Sequence, residues 1–166
     1  MSTDEPVPGS EDRSAEISEE HAQLHAALTR VLRWASREAV VRELAGPDAV
    51  GLSPTDLWLL DGVVRHGPLR MGDIATWQGV DKSTVTAQLR RITDRGLVVR
   101  TPDPTDRRAV LVTASDAGVA LHRTVTSSGA AVLARLLAGW SPAERRDLAR
   151  LVSRFADGLA PGPTRR

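Results

Sequence analysis

The sequence predicts a mainly α fold of the α+β class, in which one short β-hairpin is set between helices. Three observations lead there. Apolar residues recur at helical spacing through most of the 166 residues. Ser-Pro and Gly-Pro steps punctuate those runs as helix starts and stops. A single pair of short β-branched runs flanks a polar, turn-rich segment.

Each element follows from local chemistry. Residues 1–13 combine acids with Pro, Gly and Ser and offer nothing apolar to bury, so they read as a disordered acidic leader. From Ile17 the residues Leu24, Leu28, Val31 and Ala35 share a helical face, and the spacing predicts one long helix that stops at Gly46-Pro47. Ser53-Pro54-Thr55-Asp56 supplies an N-cap, a proline at the first helical position and an acid at the third, and His66-Gly67-Pro68 ends that helix. A short helix is expected from Met71 to Trp77, a turn at Gln78-Gly79-Val80, and a further helix from about Asp81 to Gly96. Leu97-Val98-Val99 and Ala109-Val110-Leu111-Val112 read as strands joined by the polar loop 101–108. A second long helix runs from Thr113-Ala114-Ser115-Asp116 toward Ala138. Ser141-Pro142-Ala143-Glu144 opens the last with a capping box, and Leu148, Leu151, Val152 and Phe155 form its apolar stripe.

Composition excludes several functions. Without cysteine there is no disulfide framework, thiolate zinc site or catalytic thiol. No Gly-rich phosphate loop, Gly-x-Ser-x-Gly elbow or His-Glu-x-x-His motif occurs, so the chain is not expected to be an enzyme, and no cofactor is expected. No apolar run approaches the roughly 18 residues of a membrane span, and the acidic start lacks the features of a signal peptide, which predicts a cytoplasmic protein. With four Trp, one Phe and no Tyr, the aromatic platform of single-strand binders is missing. The 22 basic and 21 acidic residues nearly cancel, yet seven acids stand against one arginine in the first twenty residues, leaving the rest net +7. Seven of the basic residues lie between 81 and 108 against four acids, so that segment is net +3.

A short helix, a glycine turn, a second helix and then a hairpin with a basic tip is the order of a winged helix-turn-helix. At about 100° per residue Val85, Leu89 and Ile92 fall on one side of the second helix, the packed side. Opposite lie Ser83, Ala87, Arg90, Arg91 and Asp94, flanked by Thr84 and Thr86. Small hydroxyls at a helix N-terminus followed by arginines suit phosphates and base edges in a major groove. That face alone fits a solvated surface equally well. The hairpin decides for duplex DNA, because Arg107 and Arg108 project from a loop where no core needs them and suit a minor groove. Asp106 caps the turn or pairs with one of them.

Residues 79–118, GVDKSTVTAQLRRITDRGLVVRTPDPTDRRAVLVTASDAG, resemble the MarR family of bacterial transcriptional regulators. The markers are Ser83-Thr84-Val85-Thr86, Asp94-Arg95-Gly96-Leu97-Val98 and Asp106-Arg107-Arg108, with Thr113 and Gly118 beyond. The resemblance implies a homodimer whose first and last two helices interlock with a partner's and whose winged lobes meet a palindromic operator. It assigns Ser83, Thr84, Thr86, Arg90 and Arg91 to the recognition helix and Arg107 and Arg108 to the wing. Members often carry arginine where this chain has Ala87. Terminal helices rich in Leu, Val and Ala, such as Val132, Leu133, Leu136 and Leu137, agree with a dimer, since a lobe this small cannot cover all their stripes.

The expected organisation is a leader (1–13), an N-terminal dimerisation helix (14–48), a winged lobe (49–113), C-terminal dimerisation helices (114–160) and a tail (161–166). The resemblance also implies a small, often aromatic, acid bound in a cleft between dimerisation helices and lobe, with Arg30, Trp34, Trp58, His66 and Met71 as candidate lining. Trp58 reads more readily as a core position, His66 as a helix-end cap and Arg30 as surface. His21 and His25, four apart, share a helix face on which a metal-responsive alternative would rest, but no convincing third ligand accompanies them, and no metal is assigned. The resulting expectation is a dimeric repressor released from DNA by a small ligand. The alternatives are a helix-turn-helix module that contacts only proteins, or a metal-responsive regulator.

Overall fold

The computed structural model describes residues 19–106 and 109–159. The acidic leader, the tail, and Arg107 and Arg108 lie outside the described residues. The chain divides between residues 37 and 38 into two compact units.

The N-terminal unit contributes α1 (Glu19–Ala35), with acids in its first turn and Arg33 in its last, both favourable to the helix dipole. Nothing on it is buried, and Leu24, Val31 and Leu32 are at least half exposed. The single long helix expected through residue 45 is instead two. The Ser36 hydroxyl donates to the Arg33 carbonyl (3.1 Å), the oxygen that the next amide would otherwise take, and the Arg37 amide turns to Trp34 (3.2 Å). A serine competing locally with the backbone ends the helix.

The second unit opens with α2 (Glu38–Ala45) and a single 3-10 turn at Pro47–Ala49. It continues through α3 (Pro54–His66), β1 (Leu69–Arg70), α4 (Met71–Gln78), α5 (Lys82–Asp94), β2 (Val98–Pro102), β3 (Val110–Ala114), α6 (Asp116–Leu136) and α7 (Pro142–Asp157). The capping box expected at Ser141 forms, and the N-cap expected at Ser53 proves to be one too, with the Asp56 and Glu144 carboxylates closing back on the cap amides. Gly79, at φ +64°, ends α4 in the left-handed conformation that the turn into α5 requires.

The three strands lie in the order β1-β3-β2, all antiparallel, with Leu69 opposite Val112 and Val98 opposite Ala114. Sequence reading missed β1, because two residues carry no periodicity. The hairpin strands also run further than expected, to Pro102 and Ala114. Proline is accommodated at the end of β2, an edge strand where its missing N–H costs little.

Leu59, Leu60, Leu69, Ile74, Val85, Leu89, Ile92 and Val112 form a core in which each is almost fully buried. Each such side chain contributes about 1.5–3 kcal/mol of hydrophobic stabilisation. The core joins α3, α4, α5 and the sheet to the start of α6. There the residue must be glycine: a Cβ on Gly118 would run into the Leu97 carbonyl and come within 3.2 Å of Leu60 Cδ1. Farther along, α6 packs on α2, where Arg135 pairs with Glu43. Beyond Val132 the apolar residues turn outward. Leu133, Leu136, Leu151 and Val152 are about half exposed, and α7 buries no residue.

Candidate nucleic-acid interface

α4 and α5 form a helix-turn-helix, and β2 with β3 form the hairpin that follows. The packed side of α5 is Val85, Gln88, Leu89 and Ile92, as the angular reading requires for the three apolar positions. Ser83, Thr86, Ala87 and Arg90 are exposed together on the other side. Arg90 is held only loosely, 3.8 Å from Asp94, so its guanidinium is free to swing toward a ligand.

The start of α5 is preorganised by Asp81. Its carboxylate accepts from the Thr84 amide (2.9 Å), the Thr84 hydroxyl (2.8 Å) and the Ser83 hydroxyl. These bonds, Ser83 first, hold the Asp81 carboxyl far below the ordinary range. The Ser83 and Thr84 hydroxyls therefore face their own cap in the free protein. The Thr86 hydroxyl donates to the Lys82 carbonyl at 2.7 Å and lies 3.6 Å from Met71 Sδ on α4.

Arg91 has a different position from the one expected. Its guanidinium clasps the Asp56 carboxylate, with Nε 3.1 Å from both oxygens and Nη2 2.8 Å from Oδ1. Asp56 is only 1% exposed and also caps α3 through the Ser53 amide (3.0 Å). Burial pushes this carboxyl up, but the Arg91 and Ser53 bonds outweigh it and hold it below the usual value. The arginine thus fastens the recognition helix to α3. Residues 35 apart in sequence gave no local signal of the pair. Arg95 is used similarly, donating to the Val50 carbonyl at 2.6 Å. Of the five described basic residues between 81 and 108, Lys82, Arg90 and Arg100 are left on the outer surface with neither anchor.

The hairpin loop begins with a second unforeseen ion pair, Arg70 with the buried Asp103, at 2.6 Å. At its far end the Asp106 carbonyl accepts from the Ala109 amide (2.9 Å), closing the turn before β3.

Trp58 is 64% exposed, not core, because its position on α3 points away from Leu59 and Leu60. His66 tilts against Trp77, their rings 6.5 Å apart, at the end of α3. Met71 packs beside the core near Thr86. Arg30 and Trp34 belong to the N-terminal unit. Within the second unit, Trp58, His66 and Met71 do not line the cavity of about 310 Å³ bounded by Val41, Arg42, Ala45, Pro47, Leu52 and Leu57. His21 and His25 are exposed on α1, and no group of three or more metal-ligating side chains occurs among the described residues. Among these residues no helix is long and apolar enough to cross a membrane.

Fold and site together define a winged helix-turn-helix protein. The MarR family model matches residues 50–109, which run from the 3-10 turn through α5 into the wing. An uncharacterized HTH-type transcriptional regulator of Bacillus subtilis, YcgE, is 32% identical over 91 residues, 55% of this chain and 59% of that protein. The HTH-type transcriptional repressor MdtR of the same organism is 28% identical over 106 residues, 64% of this chain and 68% of its own length. The chain thus spans somewhat under two thirds of the first relative and about two thirds of the second. Among solved structures, RV1404 from Mycobacterium tuberculosis superposes with a TM-score of 0.72 at 26% identity, covering 87% of this chain and 97% of that one. BpsR of Bordetella bronchiseptica, whose DNA binding is regulated by 6-hydroxynicotinic acid, superposes with a TM-score of 0.60 at 25% identity, covering 81% and 99%. The family model and these relatives support the MarR family, and the relatives here are transcriptional regulators, not enzymes.

Proposed function

We propose that this protein is a homodimeric, sequence-specific DNA-binding transcriptional regulator that represses a palindromic operator and releases it on binding a small acid. The observation that carries the reading is the outward face of α5, where Ser83, Thr86, Ala87 and Arg90 are exposed on a helix pinned from behind by Arg91 and Arg95. A helix with its rear clamped and a hydroxyl- and arginine-bearing front enters a major groove without losing rigidity. Ser83, Thr84, Thr86 and Arg90 contact DNA from the helix, and Arg107 and Arg108 from the wing. Arg91 positions the helix.

The proposal of a dimer rests on apolar surface. A second copy covers Leu24, Val31 and Leu32 of α1 and Leu133, Leu136, Leu151, Val152 and Phe155 of α6 and α7, all exposed in the single chain. Residues 14–48 and 114–160 then serve dimerisation, and 49–113 the DNA. The repressor reading draws on MdtR. The ligand reading draws on BpsR and on the apolar cavity beside α2, where Arg42 is the one charged lining residue among the described residues and suits a carboxylate.

A salt titration of binding to duplex DNA tests the central claim. Counterion release predicts that log affinity falls linearly and steeply with log salt, and a flat response overturns the reading. Sedimentation tests the second copy, and a monomer at micromolar concentration overturns that part alone.

A further inference from the structure

The ion pair at the root of the wing reaches across the whole sheet. Arg70 lies on β1 at one edge and Asp103 follows β2 at the other, with β3 between them. The Arg70 Nε donates to Asp103 Oδ2 at 2.7 Å, and its Nη2 both approaches that oxygen at 2.6 Å and donates to Thr105 Oγ1 at 3.1 Å. The other Asp103 oxygen accepts from the Thr105 amide (2.7 Å) and hydroxyl (2.6 Å). The Asp103 amide in turn donates to Ala109 (3.0 Å). The Thr105 bonds first, and Arg70 after them, pull the Asp103 carboxyl down to about 2, so the pair stays charged throughout the neutral range.

Arg70 is also the residue from which α4 starts, and Met71 beside it touches Thr86 of the recognition helix. One side chain therefore ties the first residues of the wing loop to the helix-turn-helix. We propose that Arg70 is a positioning residue for DNA binding, which fixes the direction in which the loop carrying Arg107 and Arg108 leaves the sheet relative to α5. The inference rests on the DNA-binding reading above. A loop anchored only by its two strands pivots at its root, and a small rotation there displaces its tip by more than the roughly 0.5 Å that a productive contact tolerates. Arginine suits the place because its planar fork sets Nε and Nη2 side by side on Asp103 while Nη2 also serves Thr105, whereas lysine brings a single nitrogen.

The test measures affinity of the full-length protein for a mixed-sequence DNA duplex as a function of salt. It compares Arg70→Gln, Arg70→Lys and Asp103→Asn, each with and without Arg107→Ala/Arg108→Ala, and records thermal unfolding for every variant. Arg70→Gln is expected to weaken binding roughly tenfold and to lower the salt slope by about 1 to 2, the share of two wing contacts. Arg70→Lys falls between it and the wild type. Asp103→Asn adds a unit of positive charge and is nevertheless expected to weaken binding, which separates geometry from charge. In the chain lacking Arg107 and Arg108 the effect of Arg70→Gln disappears. An equal loss in both backgrounds overturns the proposal, since Arg70 would then contact DNA itself or act through stability. No loss in either background also overturns it. A wild-type protein with no salt-dependent affinity overturns the DNA-binding reading and this inference together.

Discussion

Replacing Arg91 by alanine separates a structural arginine from a DNA-contacting one. The change removes three donor contacts to Asp56 and leaves a carboxylate that is 1% exposed with the amide and side chain of Ser53 still favouring its charged form. Breaking a fully buried pair costs about 3–5 kcal/mol, but Arg91 is itself about half exposed and water replaces part of what it supplied, so a loss of about 2 kcal/mol is expected. For a chain of this length that lowers the melting temperature by roughly 4–8 °C. The sign of the pH dependence follows from Asp56. Its folded value is depressed, so the pair stabilises fully above the unfolded value of about 3.9, and the stability is lost as pH falls through that value and below. The deficit of Arg91→Ala should therefore be full at pH 7 and shrink below about pH 4. Thermal unfolding at fixed protein concentration, with and without the substitution, measures both. An unchanged melting temperature together with a salt slope reduced by about 1 would refute the reasoning, because Arg91 would then be spending its charge on phosphate.

Arg90→Ala is the mirror case: its 3.8 Å contact with Asp94 is exposed, so stability should change by less than about 0.5 kcal/mol while preference among duplex sequences shifts, read by competition binding. Gly118→Ala places a methyl group against the fixed Leu97 carbonyl, and urea unfolding should show a loss of about 2–3 kcal/mol; wild-type stability would mean that α6 shifts freely there. Asp81→Ala removes the cap of α5 and should destabilise that helix, with faster amide exchange confined to its first turn. Trp58→Ala should leave stability within about 0.5 kcal/mol, since the ring is largely in water, and a larger loss would return Trp58 to the core.

What the sequence determined by itself was everything encoded within a few residues. Ser53, Asp81, Ser115 and Ser141 cap helices where local chemistry placed them, Gly79 turns α4 into α5, and Val85, Leu89 and Ile92 identify the buried side of the recognition helix. The resemblance over residues 79–118 rested on such short motifs, and Gly118 within it has a steric reason that spacing alone could not supply. Tertiary structure decided which charges remain available. On a helical wheel Arg90 and Arg91 are neighbours of one kind, yet one faces solvent and the other is committed to Asp56. Arg70 and Asp103 carried no motif at all, and β1 was too short to register. The physical reason is common to all of these. Helix periods and caps are set by backbone geometry between residues at most four apart, whereas an ion pair spanning 33 or 35 residues exists only once packing has brought its partners together.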